Sequence, residues 1–218
     1  MNIPKKTVYF TFDDGPDSIG DSTALLLDVL KEYRIKALFC LLGVNAEHYP
    51  ELVKRIHDEG HYIINHGYSD KMAFRMNNEE FRNNLIMGEK AISAALGFEL
   101  DTKLYRPHGG FYKTRHENIC IEEGYILVGV TLRIYDSQIA AKDSKKAAKK
   151  VIRKIEKQGA GLILLHDGLE SHSRREIELK KNPEGAYNRS WIAQTVEEII
   201  IYLLENGYEL HAEMPVFN

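Results

Sequence analysis

Four short stretches of this 218-residue chain carry side chains able to do acid–base or metal chemistry. Thr11-Phe12-Asp13-Asp14-Gly15-Pro16 ends an apolar run with two adjacent carboxylates. Neighbouring side chains at a strand end point in different directions, so one carboxylate can hold a cation while the other stays free as a base. The same residues can also make a turn that only reverses the chain. In Asn65-His66-Gly67-Tyr68-Ser69-Asp70, the side chains of His66 and Asp70 can reach one metal from a compact loop. Imidazole and carboxylate are both ordinary zinc ligands. A turn histidine beside glycine is the plainer alternative.

Tyr105-Arg106-Pro107-His108-Gly109-Gly110 offers a guanidinium that can hold Asp13 ionised, and glycines whose N–H groups can approach a substrate oxyanion. A surface arginine before a loop would look the same. Gly161-Leu162-Ile163-Leu164-Leu165-His166 is an apolar strand that delivers a histidine at its end. Histidine titrates near neutrality and suits a general acid. Leu164, two residues earlier, points to the same side and can floor a small pocket. A satisfied core histidine accounts equally well for His166, while His57 and His61 are read as plain turn histidines.

These stretches must be positioned by the elements around them. Apolar runs predict strands at Thr7–Phe12, Ile35–Leu42, His61–Asn65, Lys103–Arg106, Tyr125–Thr131, Gly161–Leu165 and Tyr208–Ala212. Amphipathic helices alternate with them. Ser22 caps Thr23–Tyr33, Asn77 caps a helix that ends at Leu96 before Gly97, and others cover Thr114–Glu123, Ser144–Gln158 and Trp191–Asn206. Alternation of this kind predicts a parallel α/β fold. The chemically capable residues follow several different strands, which favours a barrel, where strand ends converge on one face, over an open sheet. Residues 1–218 read as one domain. Gly168–Asn188 is long for a plain connection and directly follows the His166 strand. It is expected to cross the barrel mouth, its charges (Arg174, Arg175, Glu176, Glu178, Lys180, Lys181) lining or covering a groove, unless it serves as a subunit contact or surface loop.

Composition sets the exclusions. With 44% hydrophobic and 28% charged residues the chain reads as an ordinary globular protein, and a formal charge of -3 gives no reason to expect nucleic acid or an anionic membrane as partner. Two cysteines, Cys40 and Cys120, read as buried thiols. No leader or membrane-spanning run is evident, so a cytoplasmic location is the default expectation.

Taken together, the four stretches resemble the polysaccharide deacetylases of the NodB-homology class, carbohydrate esterase family four, from Thr7 to Tyr208. The Thr-Phe-Asp-Asp-Gly-Pro hexapeptide carries the likeness, with Arg106-Pro107 and Leu164-Leu165-His166 following in order. The resemblance implies a distorted (β/α) barrel of about seven parallel strands and one divalent metal ion, commonly zinc. It implies Asp13 as catalytic base, tethered by Arg106, and Asp14 and His66 as metal ligands. It further implies Leu164 as the wall of an acetyl-methyl pocket, and His166 as general acid with Asp136 as its partner.

Three departures stand out. The residue after Asp136 is Ser137 where the family has tryptophan. Asp70 stands where the family has a second metal-binding histidine; as a ligand it would favour manganese or cobalt over zinc, carboxylate being the harder donor. Failing Asp70, the third ligand would be sought at His108 or His172. Gly109 replaces a tyrosine whose N–H serves the oxyanion, so the donor survives and the aromatic wall is lost; Tyr68 is expected among the substrate contacts. The reaction implied is hydrolytic removal of acetyl groups from an N-acetylated oligo- or polysaccharide. The alternatives are an O-acetyl esterase of the xylan type, a hydrolase of non-sugar amides or cyclic imides, and a non-catalytic carbohydrate-binding relative.

Overall fold

Every residue of β1 (Thr7–Gly15) is buried, as expected of a parallel strand covered on both faces. In the computed structural model, which describes residues 3–210, this strand lies between β2 (Leu38–Leu41) and β7 (Gly161–His166). The sheet continues past β2 through β3 (Tyr62–Asn65), β4 (Leu104–Tyr105) and β5 (Ile126–Leu127), and past β7 to β6 (Leu132–Arg133). All of these pairings are parallel. A short β8 (Glu209–Leu210) pairs with Thr7 and Val8 at the start of β1. The strand expected over Tyr208–Ala212 is thus two residues long here, and Ala212 lies outside the described residues.

β5 and β6 are neighbours in the chain yet occupy opposite ends of the strand order. The link from Leu127 to Leu132 spans at most about 18 Å when extended, so the sheet curls until its two ends nearly meet. The fold is a distorted (β/α) barrel of seven parallel strands, left open between β5 and β6. Of the strand expected over Tyr125–Thr131 only Ile126–Leu127 forms, and β6 begins just beyond its bounds. Val128 and Gly129 turn their carbonyls toward Arg106 instead of a neighbouring strand.

Helices α1 (Ser22–Glu32), α2 (Gly43–His48), α3 (Pro50–Asp58), α4 (Asn78–Leu96), α5 (Thr114–Glu122), α6 (Lys145–Gln158), α7 (His172–Lys181) and α8 (Ile192–Glu205) connect the strands. Asn77 caps α4 through a full capping box with Glu80. Among the described residues, no helix is long and apolar enough to cross a membrane. Both cysteines are buried and free.

Strand periodicity sorts the side chains into two sets. Val8, Phe10, Phe12, Phe39, Ile163 and Leu165 pack outward against Leu26, Leu27, Leu30, Val196 and Ile199 of α1 and α8. Tyr9, Leu38, Cys40, Ile64, Leu104 and Leu162 fill the interior. Further steps of two along the interior set lead to Thr11 and Asp13 on β1, His66 after β3, Arg106 after β4, and Leu164 and His166 on β7. The side chains with chemistry thus belong to the interior column and stand at its C-terminal end.

One close approach fixes this end. A Cβ on Gly168 would sit 2.6 Å from the Asp14 carbonyl oxygen, which is backbone and has little room to yield. Gly168→Ala should therefore cost about 1–3 kcal/mol of stability, as overpacking does, lowering the melting temperature and displacing Asp14. Thermal unfolding read together with divalent-ion titration checks both effects.

Candidate active site

Asp13 and Asp14 follow each other on β1 yet face different partners. Asp13 Oδ1 accepts from Arg106 Nη1 at 2.5 Å, and the same nitrogen donates to Thr11 Oγ1 at 2.7 Å. Burial alone would raise the Asp13 carboxyl, but the Arg106 guanidinium, helped by His66 and His166, holds it below the usual carboxylate range. Asp13 is thus kept ionised with its second oxygen uncommitted to Arg106, as a general base requires.

Asp14 adopts a left-handed backbone, φ 69°, a conformation that costs a non-glycine residue energy and that surrounding contacts must hold. Asn45 Nδ2 donates to its carbonyl at 2.9 Å. The turn aims Asp14 Oδ1 at two imidazoles, His66 Nε2 at 3.3 Å and His108 Nε2 at 3.4 Å. Burial would raise this carboxyl too, but His108 and His66 outweigh it and hold it ionised.

The tautomer of His66 is set by its other nitrogen. Nδ1 lies 2.6 Å from the Arg106 carbonyl oxygen, which can only accept, so Nδ1 carries a proton and Nε2 is the nitrogen turned toward Asp14. Burial lowers the pKa of His108, with Asp14 opposing the shift and His66 adding to it. Asp14, His66 and His108 thus bring one ligand atom each within 4.8 Å of one another. Asp14 Oδ1 is buried without a hydrogen-bond partner. An orphaned carboxylate oxygen facing two imidazole nitrogens fits a divalent cation.

Asp70, expected as the third ligand, is not in this group. Its Oδ2 accepts from the Ser171 N–H at 3.2 Å and the Ser171 hydroxyl at 3.1 Å. It ties the loop after β3 to the start of α7 instead. His108, in the turn after β4, stands there instead, its Nε2 3.4 Å from Asp14 Oδ1.

His166 stands beside Asp13 in the sheet register. Its Nδ1 lies 2.9 Å from Asp136 Oδ1, and its backbone N–H donates to Asp136 Oδ2 at 2.9 Å. Burial would lower the imidazole, but Asp136, with Asp14 and Asp13, outweighs it and raises His166 to about 9. Asp136 is itself fully buried. It pairs with Arg189, which also donates to the carbonyl oxygens of His166 and Asp136. Arg189 has no exposed surface and lies 4.2 Å from the Trp191 ring centroid. Nothing in the sequence singles this residue out: a lone arginine at the end of a polar stretch reads as solvated.

Asp13, Asp14, His66, His108, Asp136, Leu164 and His166 line a cavity of ≈ 350 Å³. Gly109 lines it as expected, and its N–H finds no protein acceptor among the described residues. Tyr68 does not line it; its hydroxyl donates to Glu47 at 2.9 Å. Aromatic surface is present after all, from Phe111 and Tyr135, 65% and 62% exposed. Within the excursion after β7, Leu169, Glu170 and Tyr187 reach the cavity. Its charged residues mostly do other work: Arg175 is buried in an ion pair with Asp17, and Arg174 pairs with Glu170.

Two outcomes are expected. His108→Ala should weaken divalent-ion binding at least about tenfold, as loss of a direct ligand does, while Asp70→Asn should leave it near the wild-type value; calorimetric titration distinguishes them. In the metal-free protein the His166 ring should stay cationic until the pH rises through about 9. Asp136→Asn removes its main support, so the ring should lose its proton at lower pH, as followed by imidazole NMR shifts. A bound divalent ion should act in the same direction, since it offsets the charge of Asp14.

The profile of the family described as "Polysaccharide deacetylase" matches residues 1–128. A peptidoglycan-N-acetylglucosamine deacetylase of Bacillus cereus is 40% identical over 124 residues, covering 57% of this chain and 44% of that protein. A second Bacillus cereus protein of the same description is 29% identical over 198 residues, covering 91% and 90%. The chain therefore spans less than half of the first relative and most of the second. A family 4 acetyl xylan esterase from Clostridium thermocellum, solved with a cobalt ion, superposes with a TM-score of 0.71 at 26% identity, covering 93% of this chain and 86% of that one. With more than half of the sequence inside the profile, the chain belongs to the polysaccharide deacetylase family, the NodB-homology class of carbohydrate esterase family four.

Proposed function

We propose that this chain is a metal-dependent hydrolase that removes the acetyl group from an N-acetylated sugar within a glycan. One observation carries the reading. A base held ionised by Arg106 and an acid held cationic by Asp136 stand side by side in the register, above the apolar side chain of Leu164 and beside the Asp14–His66–His108 group. Two carboxyl-linked groups with opposed protonation states on one small cavity are what hydrolysis of an amide needs. The relatives named for peptidoglycan N-acetylglucosamine support an acetamido sugar as the substrate.

Asp14, His66 and His108 would hold the ion, and two imidazoles with one carboxylate form an ordinary zinc donor set with a position left open. When bound, it supplies Lewis-acid polarisation and makes water a stronger nucleophile at neutral pH. The chain's own residues do the rest. Asp13 takes a proton from the water whose oxygen bonds to the acetyl carbon, and Arg106 keeps Asp13 in position for this. The Gly109 N–H is available to the developing oxyanion, and Leu164 packs against the methyl group. His166 gives its proton to the sugar nitrogen as the C–N bond breaks, so acetate and a free amine leave. Asp136 and Arg189 orient His166 and stabilise its charge.

Asp13→Asn should lower acetate release by at least about 100-fold, the usual scale for an acid–base group, while leaving divalent-ion binding intact. Chelation should abolish activity and a divalent salt should restore it. Near-normal acetate release by Asp13→Asn would overturn the assignment of the base. Assaying O-acetylated glycans in parallel separates an esterase from an amide hydrolase.

A further inference from the structure

Most charges around the cavity are already answered. Asp13 pairs with Arg106, Asp136 with His166 and Arg189, and Glu170 with Arg174, while Asp14 faces the two imidazoles. Arg133 is the exception. It lines the cavity, yet its guanidinium has no ion pair or hydrogen-bond acceptor among the described residues. Its place is fixed on two sides. In the sheet it is the register partner of Leu164, so the two side chains project from the same face. Its guanidinium lies over Gly110, where a Cβ would meet Nη2 at 2.5 Å. The cation therefore stands between the apolar floor expected for the acetyl methyl and the Gly109–Gly110 backbone. Gly110 and Arg133 also border a second recess of ≈ 100 Å³, which opens at Val128 and Gly129 where the barrel is unclosed. Phe111 and Tyr135 expose aromatic faces on the same cavity, suited to the apolar face of a sugar ring.

We propose that Arg133 recognises a carboxylate carried by the substrate close to the acetamido group, so that the glycan this site prefers is acidic. A planar guanidinium without a partner, half-buried beside apolar surface, matches a carboxylate in a two-point contact. The adjoining recess gives a short carboxyl-bearing substituent room to enter. This inference rests on the deacetylase reading above and names the class of glycan it acts on.

The test compares an N-acetylated glycan bearing a carboxyethyl ether beside the acetamido carbon with the methyl ester of the same glycan. Wild-type protein should favour the acid by about 10- to 100-fold in kcat/KM, the range of a hydrogen bond to a charged group. The difference should lie mainly in KM. Arg133→Gln should bring the acid-to-ester ratio close to one, and Arg133→Lys should restore part of it. The deacetylated acid and ester, which do not turn over, give the same comparison by calorimetry. Acetate release with no preference for the acid would overturn the carboxylate site and leave the deacetylase reading standing. A preference that survives in Arg133→Gln would overturn it as well. Tighter binding of the deacetylated acid, lost in Arg133→Gln, with no acetate released from either parent glycan, would keep the anion site and overturn the deacetylase reading.

Discussion

The Arg106 guanidinium is buried with four acceptors around it: Thr11 Oγ1, Asp13 Oδ1 and the carbonyl oxygens of Val128 and Gly129. A buried cation is tolerated only when its donors are met and its charge is balanced, and here both conditions recruit separate parts of the fold. Asp13 comes from β1 at the centre of the sheet. The two carbonyls come from the segment between β5 and β6, where ladder hydrogen bonds stop. Arg106 thus joins the open side of the barrel to its middle strand. Its own carbonyl fixes the proton on His66. One residue therefore sets the charge of the base, the tautomer of an imidazole facing Asp14, and the path of the chain across the gap.

The second half of the site is assembled differently. His166 arrives on a strand, but its partners Asp136 and Arg189 do not. They come from a 3-10 turn after β6 and from the end of the excursion after β7. Asp136 is fully enclosed and Arg189 answers its second oxygen, so removing Asp136 would leave Arg189 as an uncompensated buried charge, whereas removing Arg189 would leave that oxygen only the His166 backbone N–H. The excursion is anchored in the same manner by Arg175 on Asp17 and by Asn45, which donates to the carbonyls of Asp14 and Glu170. Buried charge pairs hold in place a segment whose own sequence is too polar to make a core.

Strand periodicity explains what could be read in advance. Asp13, His66, Arg106, Leu164 and His166 extend interior columns whose apolar members already declare their direction, so their convergence was visible as sequence. His108 lies past the end of β4 in a turn of Pro and Gly, where strand alternation no longer says which way a side chain faces. Asp70 was the opposite case. A spacing of four has meaning on a helix, where it returns to one face, and carries none in a loop whose path is set by a distant serine. Arg189 was invisible because burial of a charge depends on a partner far away in sequence. The early end of the strand expected over Tyr125–Thr131 had the same origin, since the donors for its Val128 and Gly129 carbonyls lie on a side chain.

A sheet whose ends are unpaired ordinarily invites another strand, and such edges are a common route to aggregation. Here the two unpaired edges, β5 and β6, are only two residues long each, and the segment between them gives two of its carbonyls to Arg106. A foreign strand would find neither the length nor the row of free amides needed to dock. The opening therefore behaves as a sheltered cleft in the wall, a place where the molecule can be entered without being joined.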